Sequence, residues 1–193
     1  MNVKEMIKNF FESLSYLFGS YKPPILLPGA MIVKPKIKPK LLMNADIEKI
    51  CGKFSYTEKS GGYIEIEKSW VENNIVVVTL PLIGPIRCHK KAEEMLRKIF
   101  EEIKSTCPES VNIRDTKTIG GCWVPRHILF NPKRALSIHA FGVAFDINPS
   151  TNAYNTKGDL NPKIVEIFEH HGWYWGGNFS TRDDMHFQLG IFF

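Results

Sequence analysis

Val3, Met6, Ile7, Phe10, Phe11, Leu14, Leu17 and Phe18 recur at spacings of three and four, a period that puts them on one stripe of an amphipathic opening helix. Such a stripe needs a cover: the main domain, a second copy of the chain, another partner or a membrane surface. From Gly19 to Leu42 the periodicity disappears. Pro23, Pro24, Pro28, Pro35 and Pro39 predict an extended connector there. Residues 1–42 thus read as helix and linker, and residues 43–193 as one folded domain.

Within that domain, Tyr63 to Glu67 alternates apolar and polar positions and Ile75 to Leu80 is β-branched and aliphatic, so both predict strands. Ala92, Met95, Leu96, Ile99, Phe100 and Ile103 follow at helical spacing, with lysines and glutamates on the other faces. A second helix carries its own punctuation. Asn161 stands as N-cap, Pro162 at the first helical position and Gly172 as the stop, around an apolar stripe of Ile164, Val165, Ile167 and Phe168. Strands over Gly142 to Ile147 and Met185 to Ile191 complete an α+β pattern, an antiparallel sheet with helices packed on it.

The composition, 44% hydrophobic, 12% aromatic and 23% charged over 193 residues, is that of one folded domain with a short appendage and excludes a disordered chain. A formal charge of +5 would suit an anionic partner. Much of the excess, however, is local to Lys34, Lys36, Lys38 and Lys40, a basic spacer, so nucleic acid is not expected as a partner. Cys51, Cys88, Cys107 and Cys122 have no CxxC pairing and predict buried free thiols, with two disulfides as the other possibility. Glu5, Lys8 and Glu12 interrupt every apolar run at the amino terminus, so neither a signal peptide nor a transmembrane span is expected. The chain is expected to be made in the cytoplasm and to reach any external substrate after release.

Chemistry enters through the two last strands. In Gly142 to Ile147 the period of two sends Val143, Phe145 and Ile147 to the core and leaves Gly142, Ala144 and Asp146 on the other face. Met185, Phe187, Leu189 and Ile191 likewise go inside, leaving His186, Gln188 and Gly190 on an open, polar face. His139 precedes Asp146 by seven residues, and Gly142 can supply the bend that returns the imidazole to the carboxylate. Two histidines and a carboxylate make a three-ligand set typical of catalytic zinc, which keeps a fourth position for water and lowers its pKa to about 7. A carboxylate outside the set must take the proton and deliver it to the leaving amine. Asp183, three residues before His186, is the candidate and Asp184 its rival.

Ser137-Ile138-His139-Ala140-Phe141-Gly142-Val143-Ala144-Phe145-Asp146 resembles the SxHxxGxAxD signature of the zinc D-alanyl-D-alanine carboxypeptidase and L-alanyl-D-glutamate endopeptidase family. Asp183-Asp184-Met185-His186-Phe187 resembles that family's second motif, an acidic residue, two spacers and His. With Trp175-Gly176-Gly177 between them, the resemblance covers about Gly120 to Gln188. It implies the Hedgehog/DD-peptidase fold, Zn2+ held by His139, Asp146 and His186, and Asp183 as catalytic base. It also implies an arginine that binds substrate and steadies the oxyanion, for which Arg126 fits best and Arg134 is the alternative.

Ser137 is expected to hydrogen-bond near the substrate and not to act as a nucleophile, because no GxSxG elbow is present. Trp175 is a candidate pocket wall, and His127, His170 and His171 match neither motif. Two departures matter. Asp183 replaces the Glu of the dipeptidase branch, which favours the endopeptidase and carboxypeptidase branches, and Asn178 stands where an acidic residue is often seen. The expected activity is hydrolysis of the peptidoglycan stem peptide, at L-alanyl-D-glutamate as in an endolysin or, second, at D-alanyl-D-alanine. A zinc-stabilised binding module is the non-enzymatic alternative.

Overall fold

The computed structural model describes residues 38–118 and 121–191. The opening helix expected between Val3 and Phe18, the self-association expected of it and most of the connector lie outside the described residues. Lys40 and Leu41, assigned by the proline spacing to the connector, instead form a short strand, β1 (Lys40–Leu41). Leu42 behind it is already core.

In chain order there follow α1 (Asn44–Cys51), β2 (Tyr56–Glu58), β3 (Ile64–Ile66), α2 (Lys68–Asn74), β4 (Ile75–Leu80) and β5 (Gly84–His89). Then come α3 (Glu93–Thr106), α4 (Ile113–Thr118), β6 (Ala144–Asp146), α5 (Pro162–His170), β7 (Trp173–Trp175) and β8 (His186–Ile191). The architecture is the expected mixture of helices and antiparallel sheet. β8 is the hub of the main sheet: β1, β6 and β7 all pair with it, antiparallel. β2 with β3, and β4 with β5, make separate two-stranded ribbons.

Local signals explain the elements that matter for the site. In α3, Leu96, Ile99, Phe100 and Ile103 are buried on one stripe. In α5 the Asn161 side chain accepts from Lys163 N at 2.9 Å, Pro162 opens the first turn, and Gly172 turns the chain away at φ +85°. These helices cover one face of the sheet. Phe145 of β6 lies 5.1 Å from Phe100, and Phe187 of β8 stacks on Phe168 at 4.0 Å. Burying an aromatic side chain of this kind contributes roughly 1.5–3 kcal/mol, so alternation along β6 and β8 is energetically fixed. A slip of one residue would send Asp146 and His186 into the helix layer.

The other face departs from expectation. It is closed, not open: His186, Gln188 and Ala144 are all buried. The turn that carries His139, and the backbone of residues 121–124, lie over it. Val124 N donates to His139 O, Asp146 N to Gly121 O, and the Trp123 indole to Ala140 O. The four cysteines are buried and free, as their spacing suggested.

Candidate metal centre

Residues 138–141 form one 3-10 turn that Ser137 caps, its Oγ accepting from His139 N. Gly142 ends the turn in the left-handed region at φ 70°. A Cβ there would meet His89 N at 2.7 Å, so both conformation and space ask for glycine. The bend brings His139 back onto β6. There Asp146 is paired in register with His186 of β8.

Three donor atoms converge. His139 Nε2 lies 3.2 Å from Asp146 Oδ1 and 3.2 Å from His186 Nδ1, and His186 Nδ1 lies 3.1 Å from Asp146 Oδ1. Zinc bonds of about 2.0–2.1 Å at tetrahedral angles require donors about 3.3 Å apart. The near-equilateral triangle therefore fits a single metal ion.

The tautomers fit as well. His139 Nδ1 is 3.1 Å from the Cys122 carbonyl, which can only accept, so this nitrogen carries the hydrogen and Nε2 presents its lone pair. Gln188 donates to the Leu42 carbonyl at 2.9 Å, which turns its Oε1 toward His186 Nε2 at 3.2 Å. His186 therefore donates from Nε2 and offers Nδ1 to the centre. Each imidazole is oriented from behind, an arrangement that fixes metal ligands.

Electrostatics point the same way. Burial opposes charge on Asp146, but the two imidazoles outweigh it and hold the carboxyl far below the usual carboxylate range. Burial pushes His139 below the ordinary imidazole value, with Asp146 pulling against it. For His186, burial also works against charge, but its hydrogen bond to Asp146 and that carboxylate's charge prevail and raise it. A metal cation would take the place of that proton.

Asp183 stands just outside the trio, with His186 N donating to its carbonyl at 3.2 Å. Burial raises its carboxyl; His186 pulls back, Asp146 and Asp184 add to the rise, and the value reaches about 6. Its Oδ1 is buried without a hydrogen-bond partner among the described residues. Asp184 is different. It is buried, not facing solvent: its Oδ2 accepts from Gly158 N at 2.8 Å and its Oδ1 pairs with Arg182 at 2.6 Å. Asp184 is thus held by Gly158 and by its ion pair with Arg182, whereas Asp183 keeps one oxygen, Oδ1, without a hydrogen bond among the described residues.

Arg126 comes within electrostatic reach of the centre. Burial lowers its guanidinium, while Asp146 and Asp183 pull it back up. The guanidinium lies 4.7 Å over the Phe130 ring and donates to the His127 carbonyl. Arg134 is exposed, and its backbone carbonyl faces the buried His127. Ser137, expected beside the substrate, is buried, and the capping bond is the contact its hydroxyl makes. Trp175 is half-buried, and its indole donates to the Asp184 carbonyl at 2.9 Å. A surface groove of about 570 Å³ runs past Trp123 and Pro125 and includes none of the trio.

Two contributors escaped the sequence reading. Gln188 was visible as the neighbour of His186 two residues along the same strand face. The Cys122 carbonyl was not visible, because a backbone atom leaves no residue-type signal.

Residues 131–189 match the family model described as D-alanyl-D-alanine carboxypeptidase. Searches of curated proteins and of solved structures found no match. The matched segment contains His139, Asp146, Asp183 and His186, and stops short of Arg126. Over these residues, which build most of the triad's surroundings, the chain is similar to the D-alanyl-D-alanine carboxypeptidase family.

Proposed function

We propose that the domain is a zinc D-alanyl-D-alanine carboxypeptidase acting on the peptidoglycan stem peptide. The carrying observation is the triangle of His139, Asp146 and His186, with Asp183 beside it and its Oδ1 making no hydrogen bond among the described residues. The description of the matched family favours this bond over L-alanyl-D-glutamate, which becomes the second reading.

His139 Nε2, Asp146 Oδ1 and His186 Nδ1 would hold zinc, which supplies Lewis acidity toward water and the scissile carbonyl. The remaining work falls to the chain's own groups. Asp183, in its ionised form, takes a proton from the attacking water. It then returns the proton to the amine nitrogen as the carbon–nitrogen bond breaks, leaving a new carboxylate and free D-alanine. Arg126 pairs with the terminal carboxylate of the peptide or with the charge that develops on the carbonyl oxygen.

A zinc-dependent binding module would have no use for a buried Asp183 carboxyl whose Oδ1 makes no hydrogen bond among the described residues. The substrate lies outside the cytoplasm, so the chain would act there after release. Stem pentapeptide muropeptides digested with the zinc-loaded protein should lose one terminal D-alanine by mass spectrometry. Cleavage only between L-alanine and D-glutamate would establish the second reading, and no cleavage of any wall peptide would leave the binding module.

A further inference from the structure

A second group of metal-capable side chains lies on the helix side of the sheet. Glu102 projects from α3, His170 ends α5 and His171 follows it, and one donor atom of each lies within 4.8 Å of the others. His171 Nε2 stands 2.9 Å from Glu102 Oε2, and the two imidazole rings are 5.3 Å apart. α3 and α5 pack where Phe145 and Phe187 point, whereas Asp146 and His186 leave β6 and β8 from the opposite face. The sheet therefore separates this group from the catalytic triad.

We propose that Glu102, His170 and His171 form a second metal site, for a divalent d-block cation of the zinc, nickel or copper type. Two imidazoles and one carboxylate suit these ions, whereas magnesium and calcium favour oxygen donors throughout. The donors sit on rigid backbone. His171 N donates to the carbonyls of Ile167 and Phe168, and Gly172 N donates to that of Glu169, so the end of α5 is locked before the chain enters β7. Glu102 belongs to the body of the 14-residue α3. Little ordering is needed to bring the three groups to one ion.

The carbonyl end of α5 is the negative end of its helix dipole, which favours a cation there. The side chains of His171 and Glu102 are 20% and 34% exposed, which leaves an entry path and room for water as a further ligand. An ion at this point would replace the direct His171–Glu102 contact and clip the end of α5 to α3. β7, and through it β8, begins two residues later, so the clip would brace the sheet without touching the reacting atoms.

The full-length chain dialysed against micromolar zinc chloride tests this directly, with bound zinc and melting temperature as readouts. The His139→Ala/His186→Ala protein is expected to keep one zinc per chain, and to lose it when His171→Ala and Glu102→Gln are added. In the otherwise unaltered chain, His170→Ala/His171→Ala should lower the stoichiometry from two to one while peptidase activity persists. Zinc should raise the melting temperature of the His139→Ala/His186→Ala protein more than that of the same protein lacking His171. Zinc uptake that survives loss of Glu102 and His171 would overturn the site, as would a stoichiometry unmoved by His170→Ala/His171→Ala. If the His139→Ala/His186→Ala protein fails to fold, the stoichiometry of the unaltered chain against His170→Ala/His171→Ala decides alone. Failure of the catalytic reading would show separately, as a zinc stoichiometry in His139→Ala/His186→Ala no lower than that of the unaltered chain.

Discussion

Gln188 faces His186 along the same strand, its Oε1 3.2 Å from Nε2, while its amide nitrogen donates to the Leu42 carbonyl. The second bond decides the first: the amide cannot flip without breaking it. Gln188→Leu should therefore free the ring to rotate and weaken zinc binding by roughly 10- to 100-fold. Competition with a chelator of known affinity would measure this. Unchanged affinity would mean that the imidazole is oriented by something else.

Adjacent Asp183 and Asp184 should fail in opposite ways. Asp183→Asn alters a carboxylate whose Oδ1 accepts no hydrogen bond among the described residues, and should cost about 10²- to 10⁴-fold in turnover, with zinc content and melting temperature preserved. Asp184→Asn replaces a buried charge that holds Arg182 and Gly158, so it should lower stability by about 1–3 kcal/mol. Thermal melts and turnover measured together would separate them. The assignment fails if Asp183→Asn, loaded with zinc, turns over near normally.

The pH profile carries a sign that follows from burial. As the proposed base, Asp183 would work only when ionised, and in the metal-free chain burial raises its carboxyl from 3.8 to about 6. A zinc ion beside the carboxyl draws its value down from there, and activity should fall about tenfold per pH unit below the value so set. In the metal-free protein the same shift means that folding favours the protonated carboxyl. Its contribution to stability is then complete below about pH 4 and is lost as pH rises through about 6. A kcat profile with no acid limb anywhere below pH 7 would argue against Asp183 as the titrating base.

Arg126 depends on a strained turn. Leu129 and Phe130 both lie at positive φ, 53° and 54°, a region that costs most side chains of order 1–3 kcal/mol each. The Phe130 ring is thereby held 4.7 Å from the guanidinium and 5.0 Å from Tyr63. Gly62, at φ +74°, lets the Phe130 backbone approach so closely that a Cβ would overlap its carbonyl. Gly62→Ala should displace the turn and raise KM with little loss of zinc. Phe130→Ala should do the same and Phe130→Tyr should restore it. Steady-state kinetics with metal analysis would check the pair, and Arg126→Ala sets the upper bound, at roughly 2–4 kcal/mol of transition-state stabilisation.

Legibility in the sequence followed the strength of local rules. β4 and α5 were placed closely because β-branched runs and paired caps act within a few residues. α1 and α2 were missed because each is short and buries few side chains, too few to set a period. β7 is three residues of aromatic sequence that reads equally well as core filler, and only its pairing with β8 makes it a strand. At the site, His139, Asp146 and His186 were legible through motif and alternation. The closure of their face was not, because it depends on residues 121–124 crossing over from a distant part of the chain.

β1 is two residues long, yet it connects the incoming chain to the chemistry. Lys40 and Leu41 pair with Ile191 and Gly190, and the Leu42 carbonyl fixes the glutamine behind His186. The route from the basic, proline-rich segment to the triad is thus one strand pairing and two hydrogen bonds long. A protease that trims the chain only as far as residue 38 should leave a working enzyme. One that cuts beyond residue 42 should release zinc, so the amino-terminal border doubles as a tripwire for the catalytic ion.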